Sequence, residues 1–398
     1  MRFALPALAL VILGILTAIG PLSMHMFLPA LPIVQTYFGV STAVTQLTLS
    51  LPQLLLTPAM LIYGPFSDRY GRRPILFLGL TIYLLGTLTC VIAPAMAILI
   101  GGRVFQQIGV SAGQVVGRAI IRDLYPPEEV ASKTATMLLV LLVGPALAPT
   151  IGGHFVEWFG WRSVFVFLAA FGVVAAFLVY RWMPESNVNR GGELSFRHIH
   201  RDFLALVRMP KFTGYTLNMS MSFSVWIAFI SFAPYLTRAM GVDPSEYGNW
   251  FIISAAGYGT GTVMCSRLSK RLGINRMVII GNLTGLAAIL TCIAIAAAGA
   301  LTMLSLFCCM AVVGVGMGLS MPNASAGAIN CAPRMAGTAA SVMGFVQMAL
   351  IAGAMQVTGF LDPESPYPIL VTMLLGALAG LASLRLVLRT PRAAPATV

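Results

Sequence analysis

Two ionisable side chains, His25 and Arg103, sit inside long apolar runs of the chain. Arg103 is the one permanent charge well within such a run. At the centre of a membrane span an arginine costs roughly 2.5–3.5 kcal/mol on insertion scales, so a bundle-interior position with partners is expected. Gln106, Gln107 and Gln114 follow at i+3, i+4 and i+11, on the same helix face. Such a row can bind a polar solute, or it can tie helices together through backbone carbonyls. His25 falls in PLSMHMFLPALP, at the close of the first run. A free imidazole titrates near pH 6.5, so this ring can contact a substrate, carry a proton, or simply pack. All of this handles solutes or protons and makes no covalent bond. The chain holds no HExxH, no G-x-S-x-G, no Walker A loop and no mid-membrane pair of aspartates. An enzyme is therefore not expected, and no catalytic residue, metal or cofactor is implied.

Other polar side chains fall in apolar runs. Asn218, Ser222 and Trp226 recur at i, i+4 and i+8, flanked by Met219, Met221 and Phe223. A stripe of this kind suits either a cavity for an amphiphilic solute or ordinary packing. Tyr258, Asn282, Gln347 and Gln356 are weaker candidates, and Gln53 lies between Pro52 and Pro58 in LSLPQLLLTPAM. None of the twelve acids is placed at membrane mid-depth; Glu157, at the outer end of the fifth run, comes nearest.

The elements that must position these groups follow from composition. Of 398 residues, 58% are hydrophobic and 9% charged, with a mean hydropathy of +0.89. A soluble domain carries about 25% charged residues, so this is a polytopic all-α membrane protein in contact with the lipid bilayer. The N-terminal run continues to Leu31 without a small-residue cleavage site, and is read as a retained first span. A span needs roughly 20 apolar residues. Runs of that length give twelve, near 6–28, 43–65, 74–94, 97–119, 134–157, 161–183, 211–236, 247–268, 275–298, 300–322, 336–360 and 366–388. The faintest boundary lies between the ninth and tenth.

With both termini cytoplasmic, 21 of the 24 basic residues fall on the cytoplasmic side; Arg162 and Arg238 stay outside and Arg103 within a span. This bias fits the positive-inside rule. The net charge of +12 then reflects topology and anionic lipid, and nucleic acid is not an expected partner. The domains are a six-helix bundle over 1–183, a cytoplasmic linker over 184–210 with a short amphipathic helix, and a second bundle over 211–398. His198 and His200 form an H-x-H pair in the linker without further ligands at metal spacing. Six cysteines show no disulfide framework, and those in the spans are expected as buried free thiols.

An internal repeat supports two halves of common design, a hallmark of transporters. A shift of 202 residues aligns Ser67 with Ser269, Arg69 with Arg271, Gly71 with Gly273 and Gly79 with Gly281. In the first copy, GPFSDRYGRRPIL, Gly64 would permit close helix approach and Gly71 a left-handed turn. Asp68, among Arg69, Arg72 and Arg73, could accept hydrogen bonds from a neighbouring helix N-terminus. A cluster of this kind could latch two helix bundles on the cytoplasmic side.

GPFSDRYGRRPIL resembles the signature loop of the major facilitator superfamily. RVFQQIGVSAGQVVGRAIIRDLY is similar to the fourth-helix pattern of its drug/proton antiporters, and GPALAPTIGGHFVEWFGWRSVF to their fifth-helix antiporter motif. MPNASAGAINCAPRMAGTAASVMGFVQ is similar to the segment joining the tenth and eleventh helices in the Bcr/CflA (bicyclomycin-resistance) subfamily. The resemblance implies twelve helices in two pseudo-symmetric six-helix bundles. It puts Arg103 on the substrate and proton side of the fourth helix, and Arg122 and Asp123 at the cytoplasmic gate. It packs the fifth-helix face of Gly144, Pro145, Pro149, Gly152 and Gly153 against the eighth helix, blocking leak. Two residues depart from the pattern. Gln106-Gln107 stands where Gln-Gly is usual, and His25 of HMFLPALP where the subfamily commonly has an acid. The expected function is export of a small organic compound across a bacterial inner membrane by a monomeric proton antiporter. Export of an endogenous metabolite such as a siderophore, or proton-uncoupled facilitation, is the alternative.

Overall fold

The computed structural model describes residues 4–138, 140–187 and 203–388, and no strand occurs among them. The first span is α1 (Ala4–His25), a 3-10 turn (Leu28–Ala30) and α2 (Leu31–Phe38). Spans two to four are α3 (Thr42–Tyr70), α4 (Arg72–Ile92) and α5 (Met96–Leu124). The fifth pairs α6 (Pro127–Leu138) with α7 (Val140–Phe159), and the sixth is α8 (Arg162–Trp182). Then follow α9 (Pro210–Ala239), α10 (Pro244–Leu272), α11 (Ile274–Ala297), α12 (Met303–Asn330), α13 (Ala336–Thr358) and α14 (Tyr367–Leu388). The twelve expected spans are therefore present. Nine described segments are long and apolar enough to cross a membrane by composition alone, and α5, α7 and α10 complete the set.

Local chemistry explains several boundaries. The first span runs past its expected end because the chain restarts helix at Pro29 and Pro32, where proline's fixed φ suits the first turn. The faint ninth–tenth boundary is closed by Gly299 at φ 68°, then by Thr302 and Ser305 in a reciprocal capping box. The repeat is visible in the backbone. Gly71 and Gly273 hold φ of 106° and 77° and each opens the next helix, a region that favours glycine. The expected linker helix and the His198/His200 pair lie largely outside the described residues, although 203–207 is helical.

The helices group into two compact units. The first comprises Met1–Leu194 with Ile230–Ile252 and Met355–Glu364; the second comprises Ser195–Phe229, Ile253–Ala354 and Ser365–Val398. In the first, α4 and α5 run in near-contact: a Cβ on Gly79, Gly86 or Gly109 would come within 2.4 Å of the facing helix. In the second, Gly281 on α11 and Gly316 on α12 play the same part, each Cβ meeting the other's carbonyl at 2.4 Å. Small residues at such crossings let membrane helices gain dispersion contact.

Large apolar side chains such as Leu85, Ile92, Phe105 and Leu375 stand exposed on the spans, as acyl chains require. Two expectations are corrected. Cys308 is exposed while Cys309 beside it is buried, because successive helix residues face about 100° apart and the outer one meets lipid. Gly64 allows no special approach: its Cβ would sit an ordinary 3.7 Å from a Val115 methyl.

Candidate functional site

Arg103, on α5, is 3% exposed. Its Nε donates to the Thr48 carbonyl at 3.3 Å, and its Nη1 donates to the Ser23 carbonyl at 3.1 Å and to Gln106 Oε1 at 2.5 Å. The guanidinium also lies over the Phe27 and Phe165 rings, 5.0 and 5.9 Å from their centroids, a cation–π arrangement. Gln106 passes the chain on: its Nε2 donates to Thr87 Oγ1 at 2.9 Å, and Thr87 donates to the Tyr83 carbonyl at 2.7 Å. Tyr83 in turn donates to the Leu168 carbonyl at 2.9 Å. One arginine thus joins the first, second, third, fourth and sixth spans. Every one of these partners is neutral. Gln107, though buried, and Gln114, half-buried, make no hydrogen bond to Arg103.

His25 is the last residue of α1, half-buried, two positions beyond the Ser23 carbonyl that Arg103 holds. Its Nδ1 lies 2.9 Å from the Pro21 carbonyl. A carbonyl only accepts, so Nδ1 carries the hydrogen and Nε2 is left with its lone pair or a second proton. The ring is tilted against Phe251, with centroids 6.2 Å apart. No carboxylate pairs with His25 or Arg103 among the described residues.

In the second unit, the α9 stripe divides. Asn218 and Asn282 bond reciprocally at 3.3 and 3.2 Å, and Asn218 also donates to the Gly380 carbonyl at 2.8 Å. Ser222 donates to the Asn218 carbonyl at 2.9 Å and, with Asn282, lines a cleft of about 30 Å³. Trp226 is buried. The amides therefore tie three helices together, and only Ser222 and Asn282 of this group touch open space. Tyr258 and Gln53 are half-buried. Gln347 is buried, and its Nε2 donates to nothing among the described residues.

On α7, the small face divides between two neighbours, Gly153 meeting the start of the eighth span and Gly152 the end of the first. A Cβ on Gly153 would meet the Pro244 carbonyl at 2.3 Å, and one on Gly152 the Met26 carbonyl at 2.1 Å. Gly248 faces the Pro149 carbonyl just as closely, and Thr150 Oγ1 donates to the Gly248 carbonyl at 2.8 Å. The C-terminal half of α7 is thus wedged between the end of α1 and the start of α10. Among the described residues a Cβ on Gly144 would meet nothing within 4 Å, and the side chain of Pro145 lies outside them.

The cluster around Arg72 corrects one expectation. Arg72, also 3% exposed, donates from Nη1 to Asp68 at 2.5 Å and Ser67 at 2.7 Å, and from Nε to Asp123 at 2.9 Å. Asp68 does not cap a helix, since its side chain is turned toward Arg72 one turn on. The cap is Glu185, which sequence reasoning missed. Its two oxygens accept from the Arg72 and Arg73 backbone amides at 2.8 and 3.2 Å, placing negative charge at the N-terminus of α4. Gly71 makes room, since a Cβ there would sit 2.6 Å from Glu185 Oε2. Arg73 Nη2 donates to the Tyr180 carbonyl at 2.6 Å, whereas Arg69 and Arg122 are exposed. In the second copy, Asn323 donates to Ser269 at 3.0 Å in place of the arginine.

Twelve spans with a repeat, and a polar network buried at membrane depth, define a polytopic membrane carrier. The family model described as Major Facilitator Superfamily matches residues 13–355 and 215–397, and the chain belongs to that superfamily. It is 28% identical over 372 residues to a bicyclomycin resistance protein homolog of Haemophilus influenzae, covering 91% of each chain. It is likewise 28% identical over 341 residues to multidrug resistance protein D of Escherichia coli, covering 85% of each. A chloramphenicol resistance protein of Pseudomonas aeruginosa is 31% identical across 59% of this chain and 55% of its own. These relatives support the Bcr/CflA subfamily. A bacterial homolog of the human lysosomal transporter Spinster, solved inward-facing and unoccupied, superposes with a TM-score of 0.72 at 18% identity. It covers 98% of this chain and 96% of its own, a likeness of fold. The chain is a multi-pass membrane transporter and not an enzyme.

Proposed function

We propose that this chain exports a small amphiphilic organic compound across a bacterial inner membrane. The halves 1–183 and 211–398, joined by the 184–210 linker, alternate access, with both termini cytoplasmic and the monomer as working unit. Protons move the opposite way. The relatives named for bicyclomycin, chloramphenicol and multidrug resistance support a drug-like substrate. The observation that carries the reading is Arg103, buried at span depth among neutral acceptors, with His25 on the same backbone segment it grips. Such a charge in a membrane interior marks a functional position. His25 keeps its Nδ1–H on Pro21, so Nε2 can gain or lose a proton without disturbing that anchor. Asp68, Arg72, Asp123 and Glu185 act as the cytoplasmic gate. Proton-uncoupled facilitation is the second reading, favoured by the lack of any carboxylate beside Arg103 among the described residues.

Flux in proteoliposomes under an imposed pH gradient separates the two. His25→Ala is expected to abolish gradient-driven flux while leaving binding, and His25→Asp to retain it. Unchanged gradient-driven flux in His25→Ala removes His25 as the proton carrier, whereas wild-type flux indifferent to the gradient makes the carrier a facilitator. Arg103→Ala should insert in the membrane yet lose export.

A further inference from the structure

Arg72 and Arg103 are equally buried, at 3% exposure each, yet their charges are treated oppositely. Arg72 is neutralised by Asp68 and Asp123. Arg103 is held by two carbonyls, one amide oxygen and two aromatic faces. Neutral dipoles solvate a guanidinium, but its full positive charge remains. Its Nη2 hydrogen-bonds nothing among the described residues. One donor therefore stays open, in the low-dielectric interior where charge acts most strongly. His25, two residues beyond the Ser23 carbonyl that Arg103 holds, is neutral or cationic, never anionic.

We infer that the transported compounds are organic anions, with one carboxylate, sulfonate, phosphonate or similarly acidic group on an apolar body, and that Arg103 Nη2 receives this group. This rests on the export reading above and names the substrate class for the same site. Charge centres about 4 Å apart, the reach of a direct hydrogen bond, correspond to roughly a thousandfold in affinity at an effective dielectric of about 20, which desolvation of both groups cuts to about tenfold or more. Anions are favoured by this factor and cations disfavoured.

The test uses three probes of one shape: 2-naphthoate, 2-naphthylmethanol and 2-naphthylmethylammonium. Equilibrium binding of each to the purified full chain in neutral detergent is measured at low salt. The expected order is anion, then alcohol, then cation, with at least about tenfold between the first and last. Gln106→Glu, which sets a carboxylate where an amide oxygen already touches Arg103 with little change of shape, should bring the three within about threefold. Arg103→Lys should keep the order. Equal binding, a reversed order, no binding of any probe, or an anion preference that survives Gln106→Glu overturns the inference. Gradient-driven flux in vesicles is read separately. Anion-selective binding without flux leaves this inference standing and removes the export reading, whereas flux without charge selection does the reverse.

Discussion

Arg103 and Glu185 show how differently two functional side chains announce themselves. Arg103 is legible because a charge in an apolar run is rare, and its Gln106 partner follows one turn on. Glu185 lies in a polar stretch where any acid looks ordinary. Its meaning comes from α8 returning the chain to the N-terminus of α4, more than a hundred residues away in sequence. The structure ranks the acids around Arg72. Glu185 caps two backbone amides, and losing a cap costs about 1 kcal/mol, up to about 2 with charge at the helix N-terminus. Asp68 is half exposed and shares Arg72 with Asp123, so its removal leaves the arginine paired. Glu185→Gln should therefore lower the midpoint of thermal denaturation in detergent by several degrees, and Asp68→Asn by less than half as much. An equal or larger drop for Asp68→Asn would shift the weight of the cluster onto the Arg72 bridge.

At the scale of the element, the twelve spans were readable from apolar run length and loop charge, since a bilayer imposes both. Their interruptions were not. The break after His25 arises from Pro29 and Pro32, which in an apolar run look no different from the helix-internal Pro52 and Pro58 of α3. The α7 face was legible as small, but which glycine mattered was not, because that depends on what stands opposite. Gly152 and Gly153 face backbone carbonyls that cannot retreat as a side-chain end can. Alanine at either should cost about 1–3 kcal/mol, the range of overpacking, and depress transport. Gly144→Ala should leave stability within about 1 kcal/mol of the parent, or raise it through helix propensity. Thermal denaturation of the three variants side by side checks the ordering. Loss at Gly144 equal to that at Gly152 would contradict the close-approach explanation.

At the scale of the whole molecule, the repeat forecast two halves of common design, and the paired glycines at Gly71 and Gly273 bear its backbone signature. No spacing foretold that the end of the seventh span, the start of the eighth and the end of the eleventh would group with the first unit. The contacts responsible are isolated polar pairs without periodicity. Gln46 Nε2 donates to the Ser231 carbonyl at 2.9 Å, Ser50 donates to Gln356 Oε1 at 2.8 Å, and Gln356 Nε2 to the Ala43 carbonyl at 3.1 Å. A carrier that alternates access has to break and remake contacts of this kind in every cycle. At about 1 kcal/mol net per hydrogen bond, removing all three shifts a two-state equilibrium by about a hundredfold. Leucine keeps the bulk of glutamine without its amide, so Gln46→Leu combined with Gln356→Leu isolates the hydrogen bonds. Thr358 is fully buried beside Ser231, with hydroxyls 3.2 Å apart, and Thr358→Cys makes a reporter for that closure. Labelling by a membrane-impermeant maleimide from outside should be slow in the reporter alone and at least about tenfold faster when both leucines are added. Equal rates would mean that apolar packing at Gly359 and Gly153, against the Ala43 and Pro244 backbones, closes the outer side without help from the amides.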